Sequence, residues 1–123
     1  MSTEYGRALA VADLESLELR ASKLDVYDAA IGVHLLYEDP GTGAEHYLIR
    51  YPAGLGARPH RHTAAHTVVL LEGRLRVNDE VIAAHGYCHF PAGETMYHGP
   101  ADDGPCLFVL IFDGPYDVTV VDE

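Results

Sequence analysis

Apolar and polar residues alternate with a period of two along most of the chain from Gly32 onward. This period places successive side chains on opposite faces of a β-strand, so each alternating segment predicts a strand. Glycine, proline, asparagine and aspartate separate these segments at short, even intervals, as is typical of turns between strands. The predicted strands cover residues 33–38, 45–52, 66–72, 73–77, 80–84, 87–90, 95–98, 105–112 and 116–121.

Many short strands without a long helix predict an all-β fold, either a sandwich or a barrel. Two of the segments, 66–72 and 105–112, contain runs that are apolar on both faces, and we expect them to be central strands. Residues 1–31 show no steady period and predict a short irregular N-terminal arm with at most one helical turn, although Leu17 and Leu19 would also suit a strand. Residues 32–123 then form a single β-barrel domain.

The chain is acidic, with 8 lysines and arginines against 19 aspartates and glutamates and a net charge of −11. A surface of this sign repels phosphate backbones and anionic lipids, so we expect neither nucleic acid nor a membrane as a partner. The longest apolar stretch is too short to span a bilayer, and we find no secretory signal. The two cysteines lie inside apolar segments and predict buried thiols instead of a disulfide framework. Together these features predict a cytosolic protein.

Three histidines lie within seven positions, at His60, His62 and His66. His60 and His62 are two residues apart and therefore share one face of an extended segment. His66 opens the next predicted strand, close enough to turn toward the same centre, and His98 is the best candidate for a further donor. Imidazole nitrogen suits zinc, copper, iron and nickel. These residues therefore predict a transition-metal site.

Two further residues could belong to this site. His89, in the predicted strand 87–90, is an alternative to His98 as the donor, because strand register is poorly determined by one sequence. Met96 has the same parity as His98, so it either lines the pocket or packs in the core.

The segment from Gly54 to Gly73 resembles the first cupin motif, Gly-x5-His-x-His-x3-Glu-x6-Gly. Every spacing agrees, and the histidine pair of the motif falls on His60 and His62. The one departure is His66, which stands at the position of the glutamate.

The segment from Gly86 to Asp102 resembles the second cupin motif, Gly-x5-Pro-x-Gly-x2-His-x3-Asn. Its Pro91-x-Gly93 core is intact, while Gly86 stands one residue closer to the proline than in the motif. His98 comes two residues late, and Asp102 replaces the asparagine. The resemblance as a whole extends over about residues 32–121.

The resemblance implies a double-stranded β-helix, the cupin jelly roll, that holds one divalent transition metal per chain. By motif position the ligands would be His60, His62 and His98, with His66 in place of the usual carboxylate. Cupins with all-histidine sites include acetylacetone-cleaving dioxygenases, and the cupin domain of ChrR-type anti-sigma factors is another similar branch.

An all-histidine site has a consequence for the ligand. Four neutral imidazoles leave the full charge of a divalent ion uncancelled, whereas a glutamate would cancel half of it. We therefore expect a small anionic ligand such as an enolate or a carboxylate. Metal binding should also weaken as the pH falls through the histidine range, because the ligands must be deprotonated.

The resemblance and the site together predict a mononuclear non-haem iron(II) dioxygenase acting on a small enolisable or phenolic compound, with zinc, nickel, copper and manganese as the other candidate metals. A closed, non-catalytic site in a metal- or ligand-sensing protein, holding zinc or another divalent metal, is the alternative. A third candidate, a cupin isomerase, would need a base and a positively charged pocket, for which Arg50, Arg58 and Arg61 are available. Exposed sheet edges also predict a homodimer.

Overall fold

Strands account for nearly all the regular structure in the computed structural model, which describes residues 8–101 and 104–121. Asp102, at the end of the second motif, lies outside the described residues. The described part of the arm contains one turn of 3-10 helix, at Leu14–Ser16. Among the described residues, no helix has the length and apolar character needed to cross a membrane. The strands are β1 Arg20–Ser22, β2 Ile31–Glu38, β3 Glu45–Tyr51, β4 His60–Arg61, β5 His66–Glu72, β6 Arg74–Val77, β7 Glu80–Ala83, β8 Tyr87–Phe90, β9 His98–Pro100, β10 Cys106–Phe112 and β11 Thr119–Val120.

The paired strands run antiparallel and form three groups. Six strands make the main sheet in the order β1-β2-β3-β10-β5-β8, three make a second sheet in the order β7-β6-β9, and β4 pairs with β11. Strands β5 and β10 have neighbours on both sides, and all their side chains are buried or half-buried. The predicted all-β fold and the two predicted central strands are therefore confirmed.

The last predicted strand, 116–121, is reduced to Thr119–Val120. A second difference falls where the chain crosses between sheets. Met96 forms an isolated bridge with His60, in which the amide of each residue donates to the carbonyl of the other, at 2.7 Å and 2.9 Å. From His98 onward the chain pairs with β6 instead. The predicted strand 95–98 therefore contributes only its last residue to a strand, and β9 continues to Pro100.

Part of the arm is an edge of the main sheet, since β1 pairs with β2 along its whole length. The segment before β1 is held in two ways. Nδ1 of His34 donates to the carbonyl oxygen of Glu18 at 3.0 Å. Leu19 packs over Gly32, where a Cβ atom would lie 3.1 Å from Cβ of Leu19. The arm is thus fastened to the sheet by backbone pairing, a side-chain hydrogen bond and a close apolar contact.

The interior between the sheets holds both the hydrophobic core and a set of histidines. Large side chains such as Tyr51, Phe108 and Phe112 are fully buried there. Apart from tyrosine and cysteine, the buried polar side chains of the described residues are His60, His62, His66 and His98. Each of them is at most 5% exposed. Burial of a polar ring in apolar surroundings is costly unless its nitrogens find partners, so these positions need a structural explanation.

The two glycines that bound the first motif both have left-handed backbone, with φ of +73° at Gly54 and +83° at Gly73. Only Gly73 is also closely packed. A Cβ atom there would lie 2.4 Å from the carbonyl oxygen of Pro105, whereas nothing lies within 4 Å of one at Gly54. The motif therefore begins and ends at positions where the backbone itself favours glycine.

Alanine substitutions should separate these two effects. Gly54→Ala is expected to lower the free energy of unfolding by about 1 kcal/mol, because it adds only backbone strain. Gly73→Ala is expected to lower it by about 2–3 kcal/mol, because strain and steric overlap with a backbone carbonyl coincide. Urea denaturation of both variants measures the difference, and equal losses would contradict the close packing at Gly73.

Candidate metal centre

Three histidine side chains converge in the interior. One ring nitrogen from each of His60, His62 and His98 lies within 4.8 Å of the other two. The ring centroid of His60 is 5.0 Å from that of His62 and 4.9 Å from that of His98. The bridge between His60 and Met96 explains this convergence, because it brings the segment that ends at His98 alongside β4.

Backbone carbonyls determine which nitrogen carries the proton in two of these rings. Nδ1 of His60 lies 2.8 Å from the carbonyl oxygen of Arg58, and Nδ1 of His62 is hydrogen-bonded to the carbonyl oxygen of Asp117. A carbonyl oxygen can only accept, so Nδ1 is the donor in both rings. In the neutral imidazole Nε2 then keeps an unprotonated lone pair, which is the form that binds a metal.

The loop that supplies the carbonyl of Asp117 is itself tied to the histidine segment. The carboxylate of Asp117 accepts hydrogen bonds from the amide of Thr63 at 2.7 Å and from the hydroxyl of Thr63 at 2.5 Å. These bonds hold the pKa of the Asp117 carboxyl below its usual range. The orientation of His62 therefore depends on a contact with a residue 55 positions away in the sequence.

His98 is oriented by tyrosine side chains. Its Nδ1 lies 2.7 Å from Oη of Tyr51, and that oxygen lies 2.6 Å from Oη of Tyr27. Burial raises the pKa of both phenols, which keeps them neutral. Nε2 of His98 is buried and has no hydrogen-bond partner among the described residues. An orphaned buried nitrogen costs about 1–3 kcal/mol, and a metal ion at Nε2 would give this atom the partner it lacks.

His66 lies beside the three-histidine group. Its ring stacks between Phe90 and Phe112, with centroid distances of 4.7 Å and 4.9 Å. The same ring is 4.6 Å from that of His62 and 6.2 Å from that of His98. Both of its nitrogens are buried without a hydrogen-bond partner among the described residues. The role of His66 as a fourth ligand stays a prediction, because its nitrogens do not belong to the group that lies within 4.8 Å.

Burial keeps all four imidazoles neutral. Desolvation lowers the pKa of His60, His62 and His98, and it lowers that of His66 to about 3. The backbone hydrogen bonds of His60 and His62 oppose this shift without reversing it. At neutral pH the rings are therefore already in the protonation state that metal binding requires.

The structure does not bring Met96 and His89 into the site. Met96 is 3% exposed and packs in the hydrophobic core. His89 is exposed on β8, because successive residues of a strand face opposite sides and its neighbour Phe90 faces the interior. Neither residue is among the described residues that line the cavity beside the histidines. Met96 occupies the core, which was one of its two predicted positions, and a pocket role for either residue stays a prediction. It is His98 that lies with the motif histidines.

A cavity of about 190 Å³ opens beside the three histidines, and its lining is mainly apolar and aromatic. Its other polar lining side chains are Arg20, Ser22, Tyr27, Tyr47, Tyr51 and Tyr116. These residues were not among those predicted from the sequence. A signal existed for Tyr47 and Tyr51, because they alternate with the apolar Ile49 on one face of β3. No comparable pattern marked Arg20, since the arm has no steady period.

Comparison with protein families accounts for most of the chain. Residues 11–123 match the family described as "Domain of unknown function (DUF4437)". The chain belongs to this family. A comparison with curated proteins finds no match.

Solved structures of similar fold extend this result. A cupin-like protein from Thermotoga maritima is 15% identical, with a TM-score of 0.76 and 90% of each chain covered. An acetylacetone dioxygenase from Acinetobacter johnsonii is 17% identical, with a TM-score of 0.70 and coverage of 95% of this chain and 80% of that one. A polyketide cyclase from Streptomyces resistomycificus is 15% identical, with a TM-score of 0.72 and coverage of 94% and 87%. The cupin fold that the motifs imply is therefore confirmed.

The contact between Tyr51 and His98 yields a prediction for metal affinity. Tyr51→Phe removes the partner of Nδ1 and is expected to weaken zinc binding about 10-fold or more, as loss of an outer-shell hydrogen bond commonly does. Tyr27→Phe is the matched control, because it removes a phenol from the same pair without touching His98. Competition with a chromophoric chelator measures both affinities, and an equal loss in the two variants would contradict a specific role for Tyr51.

The lowered histidine pKa values predict how the stability of the metal-free protein depends on pH. The unfolded chain takes up protons near pH 6.5, whereas the folded chain does so only at lower pH. The free energy of unfolding should therefore fall as the pH drops below about 6.5, by about 1.4 kcal/mol per pH unit for each histidine that stays neutral.

Urea denaturation of the chelator-treated protein between about pH 7 and pH 5 measures this slope. His66→Phe removes one buried titrating ring and should reduce the slope by about 1.4 kcal/mol per pH unit. A stability that does not change over this range would show that the buried rings take up protons as readily as exposed ones.

Proposed function

We propose that this protein is a mononuclear non-haem iron(II) dioxygenase that cleaves a small enolisable or phenolic compound. The observation that carries the proposal is the convergence of ring nitrogens from His60, His62 and His98 beside a cavity. Three protein ligands leave coordination positions of a divalent metal open, as catalytic sites require. Nitrogen donors of this type suit iron and its transition-metal neighbours better than calcium or magnesium.

Iron(II) bound here would supply Lewis acidity toward a substrate anion and electrons for dioxygen. The chain itself keeps the ligand rings neutral by burial and orients them through the carbonyls of Arg58 and Asp117 and the phenol of Tyr51. The cavity lining of the described residues includes no aspartate or glutamate. Because no carboxylate base lines the cavity among the described residues, the substrate should be one that is readily deprotonated before or during binding.

The size and the electrostatics of the cavity support a small, anionic substrate. Its volume of about 190 Å³ is below the roughly 300–1,000 Å³ of pockets that take drug-sized ligands. Its apolar and aromatic walls suit a short carbon skeleton. The neutral histidine set leaves the charge of a divalent ion uncancelled, which favours an enolate, a phenolate or a carboxylate. The likeness to the acetylacetone dioxygenase from Acinetobacter johnsonii supports β-diketones as the first compounds to test.

The second candidate function is a non-catalytic metal- or ligand-sensing protein. The observation in its favour is His66, whose buried nitrogens lack partners and whose ring lies 4.6 Å from that of His62. A shift of this ring into the group would complete a site with four protein donors, the number that structural zinc sites have. A closed site of this sort would leave no position for a substrate.

The isomerase alternative receives less support. Arg50, Arg58 and Arg61 were the candidates for a positively charged pocket. None of them is among the described residues that line the cavity. Arg50 instead lies 4.0 Å from Glu72, where both side chains are partly exposed.

We also propose that the protein is a cytosolic homodimer. Both cysteines are free thiols, in keeping with a reducing compartment. The main sheet ends in the strands β1 and β8, and Tyr87 on β8 is 64% exposed. An exposed strand edge beside a large aromatic side chain offers a surface for pairing with a second copy.

Metal content and oxygen consumption test the proposed activity. The protein as purified is expected to contain iron, and the iron(II)-loaded protein is expected to consume dioxygen with acetylacetone or a catechol. His98→Ala should abolish both metal retention and oxygen uptake. His89→Ala is the matched control and should change neither, because this exposed histidine lies outside the site.

Two results would oppose the proposal. Tightly held zinc together with no oxygen uptake under any metal would favour the non-catalytic candidate. Full oxygen uptake in His98→Ala would remove the three-histidine group from the reaction.

A further inference from the structure

Strand β1 contributes a cationic side chain to the cavity. Arg20 and Ser22, at the two ends of β1, both line it. Arg20 is exposed, so it lies where the cavity meets solvent, while the histidines lie at its buried end. The cavity therefore has three histidines that could hold a metal at one end and a guanidinium at the other.

The strand register explains why Arg20 faces the cavity. Arg20 lies opposite Val33, and Ser22 lies opposite Ile31, in the antiparallel pair of β1 and β2. Directly opposed residues of such a pair share one face of the sheet. Val33 and Ile31 line the cavity, so the side chains of Arg20 and Ser22 belong to the same inner face. The intervening Ala21 lies on the other face, beside a separate groove.

The charge of Arg20 has no counterpart within the described part of the protein. No ion pair with a described carboxylate involves Arg20, and the cavity lining has no aspartate or glutamate among the described residues. The whole chain carries a net charge of −11, which by itself would repel an anion. A cation at the mouth of a cavity whose described lining has no carboxylate therefore creates a local region that attracts an anion.

The position of Arg20 is supported by the structure around it. The backbone of β1 pairs with β2, and the preceding segment is held by the hydrogen bond from His34 to Glu18 and by the packing of Leu19 over Gly32. After β1, Nζ of Lys23 donates to the carbonyl oxygen of Tyr27 at 2.6 Å. The arm is thus fixed on both sides of Arg20, and the guanidinium starts from a defined backbone position.

We propose that Arg20 is a second binding point for the ligand and holds a carboxylate at the end opposite to the metal-binding group. This inference rests on the proposed function and narrows its substrate class to small keto acids with an enolisable head and a carboxylate tail. The planar guanidinium suits this role because its fork of N–H donors matches the two oxygens of a carboxylate. The arm then acts as a specificity element of the cavity, in addition to forming the edge of the sheet.

Two probes with the same head separate the two binding points. Acetylacetone carries the diketone alone, whereas succinylacetone carries the same diketone with a carboxylate tail. Calorimetric titration of the iron(II)-loaded protein under nitrogen measures binding without turnover. We expect the unmodified protein to bind succinylacetone about 10-fold more tightly than acetylacetone, as one charge-assisted contact at a partly exposed site would give.

Arg20→Met should remove this preference while acetylacetone still binds, which also shows that the variant is folded and its metal site intact. Arg20→Lys keeps the charge without the fork and should retain part of the preference. Arg76→Met is the matched control, because Arg76 is an exposed arginine of the second sheet that does not line the cavity. It removes the same charge from the protein and should leave the preference intact.

The outcomes distinguish this inference from the proposed function. Equal binding of the two probes by the unmodified protein, or an equal loss in Arg20→Met and Arg76→Met, would overturn the role of Arg20 and leave the diketone site standing. If neither probe binds, the β-diketone part of the proposed substrate class fails, and the role of Arg20 fails with it.

Discussion

The burial of neutral imidazoles in an apolar interior is the constraint on which the rest of this structure depends. A ring nitrogen that loses water must find another partner, and each of the three converging histidines finds one for Nδ1. In His60 and His62, Nδ1 carries the proton and donates it to a backbone carbonyl, so Nε2 keeps a free lone pair. Desolvation then keeps the rings unprotonated. The same physical effect that makes these histidines expensive to bury makes them suitable metal ligands.

The fold meets this constraint by joining segments that are distant in sequence. The bridge between His60 and Met96 brings β9 next to β4 at the point where the chain changes sheets. Asp117 reaches back to His62 and is held there by Thr63. Tyr51, at the end of β3, completes the set from the main sheet. Four parts of the chain therefore determine the orientation of three rings, so the geometry of the site depends on the whole fold.

The cavity beside the histidines has a polarity of its own. Its buried end holds neutral nitrogen donors, its walls are apolar and aromatic, and its mouth carries the guanidinium of Arg20. The fold class alone does not explain the role of the arm that supplies Arg20. In this chain it extends the main sheet by one strand and brings a cation to a protein whose overall charge is −11.

The amino-acid sequence by itself determined most of the strands and the neighbourhood of His60 and His62, because alternation along a strand is a local property of a few residues. The glycine spacing around them has an equally local basis in the left-handed backbone of Gly54 and Gly73. Only the tertiary structure decided that His98 and not His89 faces inward, since that choice depends on where the chain crosses between sheets. The same holds for the hydrogen bonds of Tyr51 and Asp117 and for the inward orientation of Arg20. These contacts join distant segments, so the periodicity along one strand cannot predict them.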